Sequence, residues 1–533
     1  MGILLLAVIF TSNVISVVGG RASGWDAIGF KFGSANCDTF KDCQSCASAK
    51  SWTGNHCRWC PLSGDESCHS EGSAYNKCDS DQQVTDASKC ANLYAPVQVH
   101  TALFGKDDRG DSNGMTISWQ TIGRTSSSIV KFGTVSGVRD QVARGNSSSY
   151  FATFDHHVHL TGLTAATTYY YQVGDPSTGF SQEFNFQTAP ANVGAEMSFK
   201  IMVYGDLGIV NSDPTFKRLK ANRDTVDLFW HLGDISYADD AIIETPLTFR
   251  YEAIYNDWMK ELESIAAQKA YMVSPGNHEA ECHSVPCQVS SEKLNKLGNF
   301  AAFNSRWRMP FKQSGSSSNM FYSFNFANVH FISINTETDF EGAASDHYTL
   351  GPAVGGFGDW VKWLEADLIQ ATKDRHLRPW IIVGGHRPVY TLITCDKDGM
   401  PSSDARALQK AMEDLFEKYQ VDLYVSGHQH SYERQLPVFR GVPELQQNLS
   451  IYANPTHTTH IVAGMAGNVE AHADYGGSPH QVWNAVKDDS HYGFGRLSVI
   501  NSTDLFWEFI GSDSGDVLDA FTLHRERPVD GYS

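Results

Sequence analysis

Five short blocks combine glycine with side chains able to hold metal ions: Gly205-Asp206-Leu-Gly208, Gly233-Asp234-Ile-Ser-Tyr237, Gly276-Asn277-His278-Glu279, Gly384-Gly-His386-Arg-Pro388 and Gly427-His428-Gln-His430. Each offers oxygen or nitrogen donors, and each follows an apolar run that reads as a buried strand. Glycine beside a donor lets the backbone turn sharply and brings the side chain near a shared centre. Taken singly the blocks say little. A Gly-Asp after a strand is commonly a turn, a strand-end histidine is commonly a surface or capping residue, and histidines at i, i+2 point to opposite faces unless Gly427 bends the chain. The case for a common metal site rests on five such blocks following five separate strands.

Those strands are expected at Phe199 to Tyr204, Val226 to His231, Ala270 to Ser274, Val329 to Ile334, Trp380 to Val383, Val421 to Val425 and Ile461 to Ala463. Between several of them the periodicity is helical. Trp360, Trp363, Leu364, Leu368 and Ile369 share one helix face, and Leu408, Met412, Leu415, Phe416 and Tyr419 another. Strands alternating with helices predict a layered α/β domain over residues 197–525, with the segments past the strand ends gathered at one edge. Upstream, Met115-Thr-Ile-Ser-Trp-Gln120, Ile129-Val-Lys-Phe132 and Thr168-Tyr-Tyr-Tyr-Gln-Val173 alternate with period two, predicting an all-β, fibronectin type III-like sandwich over residues 95–189. No internal repeat is evident, and Ser314 to Ser318 is the single low-complexity run.

A chain of 533 residues exceeds one compact core. Its formal charge of −19 and pI near 5.5 argue against nucleic acid as a partner, because that polyanion is held by Lys and Arg. Residues 1–20 carry the apolar run Ile3 to Phe10 followed by small and polar residues, which reads as a secretory signal peptide. No later stretch is long and apolar enough to span a bilayer. Cys37, Cys43, Cys46, Cys57, Cys60, Cys68, Cys78 and Cys90 fall in one short polar segment, residues 36–91, that needs cross-links. Disulfides are expected there; the competing reading is zinc, since Cys43 to Cys46 and Cys57 to Cys60 are C-x-x-C pairs. Asn146, Asn448 and Asn501 open glycosylation sequons usable in a secreted or, alternatively, a vacuolar or lysosomal protein.

Taken together, the five blocks resemble the signature of the purple acid phosphatases within the calcineurin-like metallophosphoesterases. The cysteine-rich segment, with Cys57-Arg-Trp-Cys60, resembles a plexin-semaphorin-integrin repeat, elsewhere a spacer or protein-contact module. The first resemblance implies a sandwich of mixed sheets flanked by helices and a binuclear centre. Residue by residue, it places Asp206, Asp234, Tyr237 and His430 on a ferric ion. It places Asp234, Asn277, His386 and His428 on a divalent zinc, manganese or iron ion, with Asp234 bridging. The implied reaction is acid hydrolysis of small phosphate monoesters by a hydroxide formed on the metal pair, with His278 donating a proton to the leaving group. Arg387 is a candidate phosphate contact, and Glu279 either orients His278 or caps a turn. Plant members carry further histidines about nine or ten residues after the His386 position, where this chain has Cys395 and Asp396. Cys282 and Cys287 are expected to pair, leaving Cys395 unpaired. The alternatives are a phosphodiesterase using the same centre, or an adhesion protein with an inactive phosphoesterase domain.

Overall fold

The computed structural model describes residues 37–526, apart from 52–53, 61–67, 72, 74–82, 106–113, 152, 191–196, 241–242, 244–248, 345–353 and 476–479. The expected signal peptide and Cys78 lie outside the described residues.

The cysteine-rich segment has little apolar material beyond its own bridges and a small cluster around Ala47, Val84 and Leu93. Cys37–Cys57, Cys43–Cys90 and Cys46–Cys68 are bonded, and Cys60 is disulfide-bonded as well. The C-x-x-C pairs are thus cross-links, each worth about 2–4 kcal/mol through restriction of the unfolded chain.

Next comes an all-β unit of antiparallel strands from Val97–Leu103 to Phe184–Gln187. Its long strand Gln141–Tyr150 pairs through Gln141 to Gly145 with Ser128–Gly133, and through Asn146 to Tyr150 with Thr153–Leu160. Alternation buries Ile117, Trp119, Val130, Val158, Tyr171 and Val173 between its halves.

The α/β unit has two seven-stranded mixed sheets. One carries Phe199–Tyr204, Leu228–Leu232 and Ala270–Ser274 in parallel; the other carries Val329–Ser333, Trp380–Gly384, Leu423–Ser426 and Thr459–Ala463 in parallel. These strands are buried on both faces, as their near-continuous apolar runs require. The sheets face each other through aromatic contacts, Phe199 with Phe326 at 4.8 Å and Trp230 with Phe331 at 5.5 Å. On the outer side of the first sheet, Trp258 of helix Tyr251–Ala266 lies 5.7 Å from His231. Helix Trp360–Lys373 begins where the Asp359 carboxylate accepts from Lys362 N at 3.0 Å, a side-chain cap. It buries Trp360, Leu364, Leu368 and Ala371, whereas Ile369 points outward at 40% exposure, so the apolar stripe is narrower than expected. The second expected helix runs from Ser403 to Tyr419, with a π segment, Gln409–Glu413, in its middle.

The two units meet along Val97–Leu103 and helix Tyr251–Ala266, where Val99 N donates to Glu263 Oε2 at 2.9 Å and Tyr171 Oη to the Ala267 carbonyl at 2.6 Å. Deeper in the junction, the buried Arg306 guanidinium donates to Glu252 Oε2 at 2.8 Å, Asn256 Oδ1 at 3.0 Å and Gln98 Oε1 at 3.2 Å. Tyr150 donates to the other Glu252 oxygen at 2.7 Å.

Candidate metal centre

Parallel strands deliver their carboxyl ends to the same edge. The five blocks therefore arrive together, two from Phe199–Tyr204 and Leu228–Leu232, one after Ala270–Ser274, and two from the facing sheet. The local turns are made by the donors themselves. Asp206, Asp234, Tyr237 and His428 take φ of +63°, +55°, +55° and +68°. That left-handed backbone costs an ordinary residue about 1–2 kcal/mol, and such strain gathers where function demands it. The expected bend at Gly427 is made instead by His428, which lets His428 and His430 serve one centre. The glycines chiefly permit close approach: a Cβ on Gly276 would sit 2.2 Å from Asp234 Oδ1, and one on Gly427 2.3 Å from Asp206 Oδ2.

Two pockets of lone pairs result. In the first, His386 Nδ1 lies 2.8 Å from the Leu232 carbonyl, which only accepts, so this nitrogen carries the hydrogen. The ring's Nε2 then faces Asp234 Oδ2 at 2.9 Å and Asn277 Oδ1 at 3.1 Å, so three acceptor atoms converge on a point that calls for positive charge, a proton or a metal ion. His428 adjoins them, its ring 5.1 Å from that of His386, and Asp234, His386 and His428 form one compact donor group. In the second pocket, His430 Nδ1 lies 3.0 Å from the Ala471 carbonyl, which leaves Nε2 facing Tyr237 Oη at 2.8 Å and Asp206 Oδ1 at 3.3 Å. One phenol hydrogen there faces three acceptors, since Asp234 Oδ2 is 3.5 Å from the same hydroxyl. Imidazoles tied to backbone carbonyls through one nitrogen, with the other aimed at carboxylates, have the arrangement of metal-bound histidines. The donors fit a pair of cations, with Asp234 common to both pockets.

Electrostatics agree. Burial by itself would raise the Asp234 carboxyl, but His386, His278 and His428 hold it well below the usual carboxylate range. Burial works against a charged His386, yet Asp234 drives its pKa up to about 10. That rise shows how strongly these oxygens stabilise positive charge where they meet. His428 is held neutral by burial and then by Arg387 and His386.

The surrounding residues fix the donors. Glu279 does not reach the His278 ring; its carboxylate caps the turn by accepting from Gly276 N at 2.7 Å and holds the neighbouring block by accepting from Asp234 N at 3.0 Å and Ile235 N at 2.7 Å. Buried Arg387 is ion-paired with Glu337 and Asp404, and its Nη1 lies 3.1 Å from His428 Nε2. His278 Nδ1 is 2.8 Å from Asp239 Oδ2, its ring packs 4.2 Å from that of Tyr237, and its Nε2 faces Asp234 Oδ2 and Glu470 Oε2, each at 3.8 Å. Burial opposes a charged His278, but Asp239 and Asp234 raise it well above the ordinary value.

Sequence reasoning missed Asp239, His283 and Glu470. Asp239 also binds His283 Nδ1 at 3.0 Å, and Glu470 lies 3.8 Å from His430 Nε2. The signals were available: Asp239 follows Tyr237 by two positions, and Gly464 and Gly467 mark a further glycine-bearing strand end just before Glu470. Cys282 and Cys287 are bonded, and Cys395 is a half-buried free thiol. Asp396 accepts from Asp398 N and Met400 N and pairs with Arg406. Of the sequons, Asn448 is exposed, Asn146 is exposed within a strand, and Asn501 Oδ1 accepts from Thr503 N and Asp504 N.

Comparison with known proteins decides the family. Residues 96–188 match the purple acid phosphatase N-terminal domain, 199–432 the calcineurin-like phosphoesterases, and 457–520 the iron/zinc purple acid phosphatase-like protein C family. A probable purple acid phosphatase of Arabidopsis thaliana is 33% identical, over 78% of this chain and 84% of its own length. An acid phosphatase of Aspergillus ficuum is 31% identical, over 78% and 86%. This chain belongs to the purple acid phosphatase family.

As a family member it is a metal-dependent phosphatase. Its fold is that of a purple acid phosphatase from yellow lupin seeds, with a TM-score of 0.63 at 20% identity over 83% of this chain and 76% of the other. Of the plant-type histidine pair, this purple acid phosphatase has Cys395 and Asp396, and Asp396 is spent on a turn.

Proposed function

We propose that the chain hydrolyses phosphate monoesters in acidic surroundings at a centre of ferric iron and a divalent zinc, manganese or iron ion. The carrying observation is the pair of lone-pair pockets that share Asp234. We assign Asp206, Asp234, Tyr237 and His430 to the ferric ion, because a phenolate is a hard anionic donor, and Asp234, Asn277, His386 and His428 to the divalent ion. Two cations held there supply Lewis acidity toward phosphate oxygens and the means to ionise water near neutral pH.

The protein's own groups do the rest. Asp239 holds His278 by Nδ1, leaving Nε2 to present a proton to the leaving oxygen. Arg387 positions His428, since its charge is met by Glu337 and Asp404, and Glu279 fixes the turn that carries Asp234. The disulfides fit work in an oxidising compartment, outside the cell or in a vacuole. No helix among the described residues is long and apolar enough to cross a membrane.

Elemental analysis joined to the visible spectrum tests the proposal. About two metals per chain, one of them iron, and a colour that Tyr237→Phe removes are expected. A folded, colourless, metal-free protein would sink the reading. Faster turnover of bis-aryl than of aryl monophosphate would instead make it a diesterase.

A further inference from the structure

A cavity of about 410 Å³ opens where the strands Gln141–Tyr150 and Thr153–Leu160 meet the segment following helix Ala301–Arg306. Arg144, from the all-β unit, and Arg308 and Lys312, from the α/β unit, line it, and among the described residues no Asp or Glu does. Among the described residues, none of these three cations has an ion-pair or hydrogen-bond partner. Arg308 is within electrostatic reach of Asp155, which is buried and bonded by Gln120 Nε2 at 3.1 Å. The chain as a whole is strongly acidic, so basic composition does not account for three like charges lining one cavity. Burial disfavours the charge of Arg308, and an anion in the cavity would offset that cost. Ser147 and Ser148 are also among the lining residues.

We infer that this cavity binds a small anion bearing more than one phosphate or sulfate group. Arginine forks suit tetrahedral oxyanions, and cations on opposite sides of the junction give separate groups their own partners. The volume lies within the roughly 300–1,000 Å³ of small-molecule sites, far more than one oxyanion fills. None of its lining residues belongs to the metal centre, so occupancy ties the two units together without touching the reacting groups.

Calorimetric titration of the metal-loaded protein with inositol hexasulfate, which a phosphatase does not hydrolyse, tests the inference. A parallel titration with inorganic phosphate distinguishes a single oxyanion as the source. One hexasulfate site per chain is expected. Arg144→Gln with Lys312→Gln, both outside the core, should weaken it about tenfold or more while aryl monophosphate hydrolysis is unchanged; Arg308→Gln should do the same. Absent binding, or binding equal in wild type and variants, overturns the inference. So does variant-sensitive binding of inorganic phosphate without hexasulfate, which would make this a single-anion site.

Discussion

Two buried polar clusters in this molecule handle surplus negative charge differently. At the junction, Arg306 offsets Glu252, and a chain of amides through Gln98 and Gln120 runs on to Asp155, whose Oδ2 has no hydrogen-bond partner among the described residues. Burial pushes the Asp155 carboxyl up to about 6, against the pull of Arg306, so this acid tends to keep its proton. At the metal centre, three histidines hold Asp234 ionised and burial cannot neutralise it. One cluster closes its balance within the protein. The other aims the oxygens of Asp234 and Asn277 and the Nε2 of His386 at one another, so that positive charge, as a proton or as a metal ion, must sit between them. A buried charge cluster is therefore read as structural or metal-holding by counting hydrogens against acceptors rather than by counting charges.

The sharpest break in the comparison is Asp234→Asn. It removes the anion common to both pockets, so bound metal and hydrolysis should both fall to background by elemental analysis and assay, whereas Asp155→Asn should leave both intact. At the junction, Arg306→Met strands Glu252 and should cost about 3–5 kcal/mol in denaturant unfolding. Adding Glu252→Gln should recover much of that loss, and the folded fraction should keep its metal. Glu279→Gln puts an amide hydrogen against backbone N–H groups that the carboxylate now receives. Metal affinity should drop about 10–100-fold in competition with a chelator, with the fold retained. The smallest effect is on pH dependence. With a folded pKa of about 6 against an ordinary 3.8, Asp155 keeps its proton where the unfolded chain has lost it. Stability thus declines as pH rises through that window. Relative to wild type, Asp155→Asn should gain about 2 kcal/mol between pH 4 and pH 7, measured by unfolding at each. No gain would mean that Asp155 is ionised in the fold.

Much of the architecture was legible because apolar periodicity reports burial directly. Phe199–Tyr204 and Ala270–Ser274 lie where their runs placed them, and the donor blocks do follow buried strands. Ile369 was misplaced because a helical stripe read from sequence has no partner surface to set its width. Glu279 was left between two roles, since only the fold shows its carboxylate spanning three backbone N–H groups.

By itself the sequence determined which atoms could bind metal, since residue type fixes donor chemistry and strand periodicity fixes which blocks end a strand. Tertiary structure alone decided which hydrogens those atoms carry. The Leu232 and Ala471 carbonyls, remote in sequence from the rings they hold, select the tautomers of His386 and His430. It also decided which cations share a cavity, because Arg144 joins Arg308 and Lys312 only when the two units pack. Such matters depend on distances of a few ångströms between residues far apart along the chain, which no local pattern encodes.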